Sequence, residues 1–493
     1  MEKAIKNKIL GDRIVFVFPE KTEAGYALAL TDYWICRVLA LFVVITALYV
    51  LKVLIFDRDE KHDRLLEVFK SGLLYLPVIV VVLLVKLPAG FVTSDEYSIL
   101  NDATHLMHDT WFNYMTVFYY IVSLMIFPFS YGPIIMKAII EFFVVGYTVS
   151  RTRAYFGKKS GMFMYILFLL YPFIAYTTSA HRLPVYFLIY LALFVKLFYD
   201  RLEKRNLTAQ GAFLMLIAGA VLTQWRTEGI YLLVLIPILM FIVYPSLCHR
   251  KQAVILIVSY LAIQYIISIP QNGLGSDVSG AANDRMKPFY AYTITNMYRN
   301  GLDLEKNADD LAIVDRYMPL DALEAINEHY GDINYEDVLI LMNEEFGGIR
   351  PEAGYTEYYD FTQALKRIFK NNPDVFAKTR FGAFCYAALP YHITFEGYGV
   401  RELAKTAVSI VKTVSYNLFI PVIFTALLCL YCLIRRKWYT FFVTGGLMAH
   451  WSIVFILAPA SYFKYYFPVY IMAYFYIIVL MIRYFIHDKR TVI

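Results

Sequence analysis

Two adjacent carboxylates, Asp95 and Glu96, stand just beyond a long apolar run, Gly72–Phe91, and open a short polar stretch. A positioned carboxylate at such a mouth could take a proton from an attacking hydroxyl, with its neighbour in support. The same residues also read as a helix start, because Ser94 or Asp95 suits an N-cap and acids suit a first turn. Asp102, His105, His108 and Asp109 follow in the same loop. A His pair three apart beside acids could hold a metal. The cluster has no distinctive ligand spacing, however, and no metal or other cofactor is expected.

Cations gather at other span ends. His181-Arg182 opens one apolar segment beside Pro184, and Arg226-Thr227-Glu228 joins two more. Lys464 lies among Tyr462, Tyr465, Tyr466 and Tyr470 ahead of a last apolar run. Fixed cations at a membrane boundary can bind a lipid phosphate; the alternative is ordinary snorkelling to the interface. On a helix, residues two apart face different sides, so Arg226 and Glu228 are not expected to pair automatically. His392 and Glu396, close to where the chain returns to apolar sequence, could touch an acceptor, but more often such residues are merely solvated.

The elements that must position these groups are membrane helices. The 493 residues are 59% hydrophobic and 17% charged, with a mean hydropathy of +0.52, whereas a soluble domain carries about 25% charged residues. The expected class is therefore an all-α polytopic membrane protein. Apolar segments long enough for a bilayer core, roughly 20 residues, are read at Tyr33–Ile55, Ser71–Phe91, Gly132–Ser150, Gly161–Thr178, Pro184–Tyr199, Ala209–Gln224, Gly229–Tyr244, Ala253–Pro270, Val411–Ile434, Trp438–Ala458 and Phe467–Ile486. That makes about eleven transmembrane helices.

Charge orients them. Arg151–Lys159, Arg201–Arg205, His249–Lys251, Arg435–Lys437 and Lys489-Arg490 satisfy the positive-inside rule when all are cytoplasmic. The aromatic-rich segment Trp111–Phe127 then fits a juxtamembrane helix at the interface. Asp95-Glu96, His181-Arg182, Arg226/Glu228 and Lys464 all fall on the extracytoplasmic side. The tail before the first span resists the rule, since its cations match those of the next loop.

The domain reading is a tail over 1–32, a transmembrane module over 33–270 with a catalytic loop at 92–131, a mainly helical extracytoplasmic insert over 271–410, and C-terminal transmembrane helices over 411–493. Within the insert, the periodicity predicts helices at Asp309–His329, Asn334–Phe346 and Thr356–Asn371, with a break at Asn372-Pro373. The scattered cysteines Cys36, Cys248, Cys385, Cys429 and Cys432 give no disulfide framework. Cys429 and Cys432 lie in an apolar run, where they read as small hydrophobes. No phosphate-cradling Gly-rich loop is found, which argues against a nucleotide-driven pump. The net charge of +6 is accounted for by cytoplasmic loops, so no nucleic-acid partner is expected.

The order of these motifs resembles the GT-C superfamily of membrane glycosyltransferases, in particular its protein mannosyltransferase and aminoarabinose transferase branch. The acidic pair Asp95-Glu96, the later His108-Asp109-Thr110-Trp111, the phrase Arg226-Thr227-Glu228-Gly229 and the stretch Tyr462-Phe463-Lys464-Tyr465-Tyr466-Phe467-Pro468 carry the likeness. The family's Pro-Pro-Leu is absent, the insert lies between spans, and a first helix is added. The resemblance implies an inverting transferase that takes a sugar from a polyprenyl-phosphate carrier. The acceptor would be a glycan, lipid or protein hydroxyl; the lack of a disulfide framework favours a bacterial cytoplasmic membrane, and the charge pattern sets the active site on its extracytoplasmic side. Asp95 would be the base with Glu96 beside it, and Arg182, Arg226 and Lys464 would hold the donor phosphate. Glu228, His181 and Asp109 would support them. A lipid-linked polysaccharide polymerase or ligase, and a lipid or solute transporter, are the alternatives.

Overall fold

The computed structural model describes residues 11–21, 25–55, 64–86, 94–106, 113–177, 183–275, 286–330, 350, 354–394 and 399–485. Among the described residues, eight stretches are long and apolar enough to cross a bilayer, and three shorter apolar helical stretches lie at 114–126, 209–225 and 227–243. The protein is an all-α membrane protein. At 1.5 Å per residue a 17-residue helix reaches only about 26 Å, just short of a typical hydrocarbon core.

The chain divides into two compact units. The first comprises Met1–Leu274, Pro421–Met448 and Pro468–Ile493, and the second Gly275–Ile420 and Ala449–Phe467. The first unit begins with α1 (Tyr26–Ile55), α2 (Arg64–Lys86), α3 (Ser94–Thr104), α4 (Tyr114–Ile126) and α5 (Gly132–Phe156). It continues with α6 (Lys158–Leu169), α7 (Tyr171–Thr177), α8 (Leu183–Leu202), α9 (Ala209–Trp225), α10 (Leu232–Val243) and α11 (Arg250–Gly275). The second unit contains α12 (Lys287–Arg299), α13 (Ala308–Asp315), α14 (Leu320–Tyr330), α15 (Tyr355–Asn371), α16 (Pro373–Ala388) and α17 (Val400–Ser415). The chain ends through α18 (Phe419–Ile434), α19 (Trp438–Leu457) and α20 (Phe467–Phe485).

Glycine sets the closest helix approach in the first unit. A Cβ on Gly146 of α5 would stand 2.3 Å from the Val68 carbonyl oxygen of α2, and one on Gly72 would strike the Phe142 ring at 2.7 Å. With the backbones this close, Tyr165 donates to the Ser71 carbonyl at 2.6 Å and Tyr75 to the Phe168 carbonyl at 2.8 Å. Glu67 of α2 and Arg153 of α5 approach to 3.3 Å. These contacts fix α2, α5 and α6 as one packed group.

Three expected helices are each divided, among them the span 411–434, whose first residues end α17 and whose remainder forms α18 after a turn at Tyr416–Leu418. The segment 161–178 breaks at Leu170, whose backbone is extended, and restarts with Pro172 in the first turn of α7, where a missing N–H costs nothing. The segment 309–329 forms α13 and α14, because Pro319 interrupts the ladder and the Asp315 carboxylate accepts from the Leu320 N–H at 3.0 Å. The expected break at Asn372-Pro373 is where α15 gives way to α16. The expected helix 334–346 lies outside the described residues. α12 was not anticipated, and α16 only as the helix beyond the Asn372-Pro373 break, yet both help build the second unit's core, in which Ile294, Met297, Val314, Phe361, Leu365 and Ile368 are buried together.

The segment before α1 is anchored within the first unit. Ile14 donates to the Pro128 carbonyl at 3.0 Å, Ser130 to that of Asp12 at 2.8 Å, and Val17 to that of Thr104 at 2.9 Å. Gly11, at φ +73°, lies against Ser130 where a Cβ would clash at 2.0 Å. The tail whose side the charge rule left open thus shares an end of the unit with the last turn of α3 and the α4–α5 loop.

Candidate functional site

α3 carries the two acids in its first turn, where the helix dipole favours them. Successive helix positions face different directions, and their environments diverge accordingly. Glu96 is only 1% exposed, whereas Asp95 is half-buried. The adjacent acids therefore do not form an equivalent pair: Glu96 belongs to the packed side of α3 and Asp95 to its more open side. Ile99 and Ala103 bury α3 against Val117, Tyr120, Ile121 and Leu124 of α4, and the same core includes Tyr131 and Ile134 beside the α5 N-terminus. α4 is capped by Asn113, whose side chain accepts from the Met115 N–H at 3.0 Å. Its N-terminus is also fixed to α11, through Tyr114 donating to the Ile267 carbonyl at 2.5 Å and to the Gln271 side chain at 2.8 Å.

His105 is turned back on its own helix, with Nδ1 2.8 Å from the Asn101 carbonyl. His108 and Asp109 lie outside the described residues, as do His181, Arg182 and Glu396. Among the described residues, no group of three or more His, Cys, Asp or Glu side chains is placed to hold a metal.

Arg226 and Glu228 do meet, and the local backbone is the reason. Arg226 is extended at φ −138°, ψ 137°, and Thr227–Tyr231 forms a tight turn of 3₁₀ helix. The rule about residues two apart applies to an α-helix and fails here. Arg226 Nε donates to Glu228 at 2.6 Å, its Nη2 contacts the same oxygen, and Thr227 adds a bond at 3.3 Å. Gly229 is required, since a Cβ would lie 2.5 Å from the Leu222 carbonyl.

This junction joins the acid-bearing end through aromatic contacts. Trp225 lies 6.1 Å from Tyr119, centroid to centroid. Tyr119 packs against the core that seats α3 and donates to the Pro133 carbonyl at 2.5 Å. The acids and the Arg226–Glu228 pair therefore share the α5 N-terminal end of the first unit.

At the other end of α5 is a charge cluster that sequence reasoning missed. Asp200 accepts from Lys196 at 2.7 Å, Arg151 at 3.0 Å and Tyr244 at 2.6 Å, and Arg151 also reaches Glu203 at 3.4 Å. All but Glu203 are buried. Ile134 and Arg151 are separated along α5 by about 25 Å of helix rise. Lys137 and Glu141, also buried in α5, add two more charges within a span, and Lys137 donates to the Tyr176 carbonyl. Lys196 and Asp200 carry the i, i+4 spacing of an ion pair. Hydropathy averaging hid it, and the predicted span stopped at Tyr199.

Lys464 belongs to the second unit. It occupies a short 3₁₀ turn, Phe463–Tyr466, after extended Tyr462, with its ammonium 4.5 Å from the Tyr462 ring centroid. Residues remote in sequence hold this turn and the chain leading to it. His450 lies 2.9 Å from the Tyr465 carbonyl, and Tyr292 bonds Ser461. Arg380, 1% exposed, donates to the Phe455 carbonyl at 2.6 Å and that of Ala458 at 2.9 Å. A buried guanidinium with carbonyl acceptors suits the negative end of α19. Burial pushes the Arg380 guanidinium below its usual value, opposed by Tyr292 and Tyr466.

The chemistry available is thus a half-buried carboxylate and an arginine–glutamate pair at one end of the first unit, and a tyrosine-flanked lysine in the second. Comparison with models of protein families, with curated proteins and with solved structures returns no match to this chain.

Proposed function

We propose that this protein is an inverting glycosyltransferase that moves a sugar from a polyprenyl-phosphate carrier to an acceptor hydroxyl on the extracytoplasmic side of a bacterial cytoplasmic membrane. The observation that carries this reading is that α3, with Asp95 half-open, shares one end of the first unit with the Arg226–Glu228 junction, while the ion-paired cluster around Arg151 and Asp200 occupies the other. A base and a phosphate-binding cation on one side of a membrane are the minimum that such a transfer needs.

In the reaction, the Asp95 carboxylate takes the proton from the acceptor hydroxyl. The oxygen attacks the anomeric carbon from the face opposite the carrier. A new glycosidic bond forms as the bond from the anomeric carbon to the phosphate oxygen breaks, and lipid phosphate leaves with the electron pair. Arg226 and Arg182 stabilise the charge that gathers on the phosphate, an effect that is strong where water is excluded. Glu228 orients Arg226, and Glu96 completes the seat of α3. His181 and Asp109 support the site, and no metal or nucleotide takes part.

The test is Asp95→Asn in purified, reconstituted protein supplied with a radiolabelled polyprenyl-phosphate sugar. Transfer is expected to fall by about two orders of magnitude or more, the range of general-base contributions, with unchanged thermal unfolding and retained carrier binding. Transfer at the wild-type rate removes Asp95 from the mechanism.

The buried charges Lys137, Glu141, Lys196 and Asp200 favour a second reading, a lipid or solute transporter, because ionisable groups inside spans often serve translocation pathways. Lipid translocation without sugar transfer, insensitive to Asp95→Asn, would select it.

A further inference from the structure

α17 is built inside out for a helix on a soluble surface. Val400, Leu403, Val408, Ile410, Val411 and Val414 are all exposed, and with Ala404 and Ala407 they form one continuous stripe, roughly 160° wide at 3.6 residues per turn. The polar side is the one that meets protein. Ser409 donates to the His392 carbonyl at 3.0 Å and accepts from the Thr394 N–H at 2.8 Å. Arg401, Lys405 and Lys412 lie along one edge of the stripe, and the Lys412 ammonium is 5.3 Å from the Tyr391 ring centroid.

α17 is also not the first half of a spanning helix. The apolar stretch Val400–Ile434 is 35 residues long, about 52 Å if it were one helix, against a core of about 30 Å. The chain instead turns at Tyr416–Leu418. Leu418 donates to the Ala388 carbonyl at 3.0 Å, and both Tyr416 and Leu418 are buried. Asn417 then caps α18, accepting from the Phe419 N–H at 2.8 Å.

We infer that α17 lies in the plane of the membrane surface, its valine-rich stripe sunk into the acyl boundary and Arg401, Lys405 and Lys412 set against anionic lipid phosphates. The bilayer is the occupant that fits, for two reasons. The chain passes within three residues into α18, one of the apolar helices suited to spanning. The cations follow the edge of the stripe, where headgroups lie when such a helix is embedded. This inference is independent of the sugar-transfer reading.

Spin labelling of the full-length protein tests it. With the five native cysteines replaced, nitroxides are placed at Val400→Cys and Val411→Cys on the stripe and at Glu402→Cys on the opposite side. The variants are reconstituted into phosphatidylcholine vesicles with or without phosphatidylglycerol. Stripe labels are expected to collide with oxygen in preference to an aqueous nickel chelate, with a ratio several-fold above that at Glu402→Cys. Adding phosphatidylglycerol should raise that ratio, and the triple change Arg401→Gln, Lys405→Gln, Lys412→Gln should cancel the rise. Stripe labels that favour the nickel chelate overturn the inference, because the helix is then in water. Labels shielded from both agents overturn it too, because protein covers the face; dipolar broadening would identify a second copy of the chain. Indifference to phosphatidylglycerol overturns the assignment of the three cations to anionic headgroups.

Discussion

Glu96 and Asp95 are neighbours that the fold treats differently, and the same contrast governs the buried charges. Asp200 has three donors, Lys196, Arg151 and Tyr244. It is therefore the acid that makes burial of two cations tolerable. Removing one member of a buried ionic group leaves the others uncompensated, at a cost of about 3–5 kcal/mol. Asp200→Asn is expected to lower thermal stability by that order, measured on detergent-solubilised protein. The pair Lys196→Met with Asp200→Asn should sit closer to wild type than the single change. A single variant as stable as wild type would mean that the cluster contributes nothing to folding. None of this was visible to hydropathy, which averages Lys196 and Asp200 into their apolar neighbours. The Arg226–Glu228 pair was hidden for another reason, since it depends on the chain leaving the helix at Arg226.

At the scale of elements, the sequence foretold most of the long apolar helices, because their composition is uniform and their ends are marked by charge or proline. The break at Asn372-Pro373 was legible for the same reason. The breaks at Leu170 and near Pro319 required weighing one proline against a favourable periodicity. α17 escaped notice because its amphipathic pattern runs straight into an apolar span. Helix contacts were less legible than helices. Gly72 and Gly146 were unremarked in sequence, yet the approach of α2 to α5 depends on both. A Cβ on Gly146 must displace the Val68 backbone, so Gly146→Leu should separate the two helices. The expected loss is at least the 1–3 kcal/mol typical of overpacking, read as a lower unfolding temperature together with faster proteolysis of the α2–α3 region. A wild-type melting profile would show that the interface can relax.

For the whole molecule, the two ends of the first unit make a prediction about sidedness. Val15 is 73% exposed on the tail segment that shares the α3 end, while Cys248, also exposed, adjoins the basic residues His249-Arg250-Lys251. Oriented membrane vesicles treated with an impermeant maleimide should label Val15→Cys from one face only and Cys248 from the opposite face only. Labelling of both from one face would place the two ends together and remove the geometric basis of the proposed active site. The charge rule alone could not orient the tail; backbone pairing with residues 104 and 128–130 supplies what charge lacked.

That pairing also bears on how the protein is made. Residues 12–17 leave the ribosome long before Thr104, Pro128 and Ser130, the partners they will hold. They must therefore wait, already delivered to the correct face, while two hydrophobic helices are inserted behind them. The early segment can close over the acid-bearing helix only once Pro128 and Ser130 have been made, so this corner is completed after both of those helices are in place and not as the tail emerges.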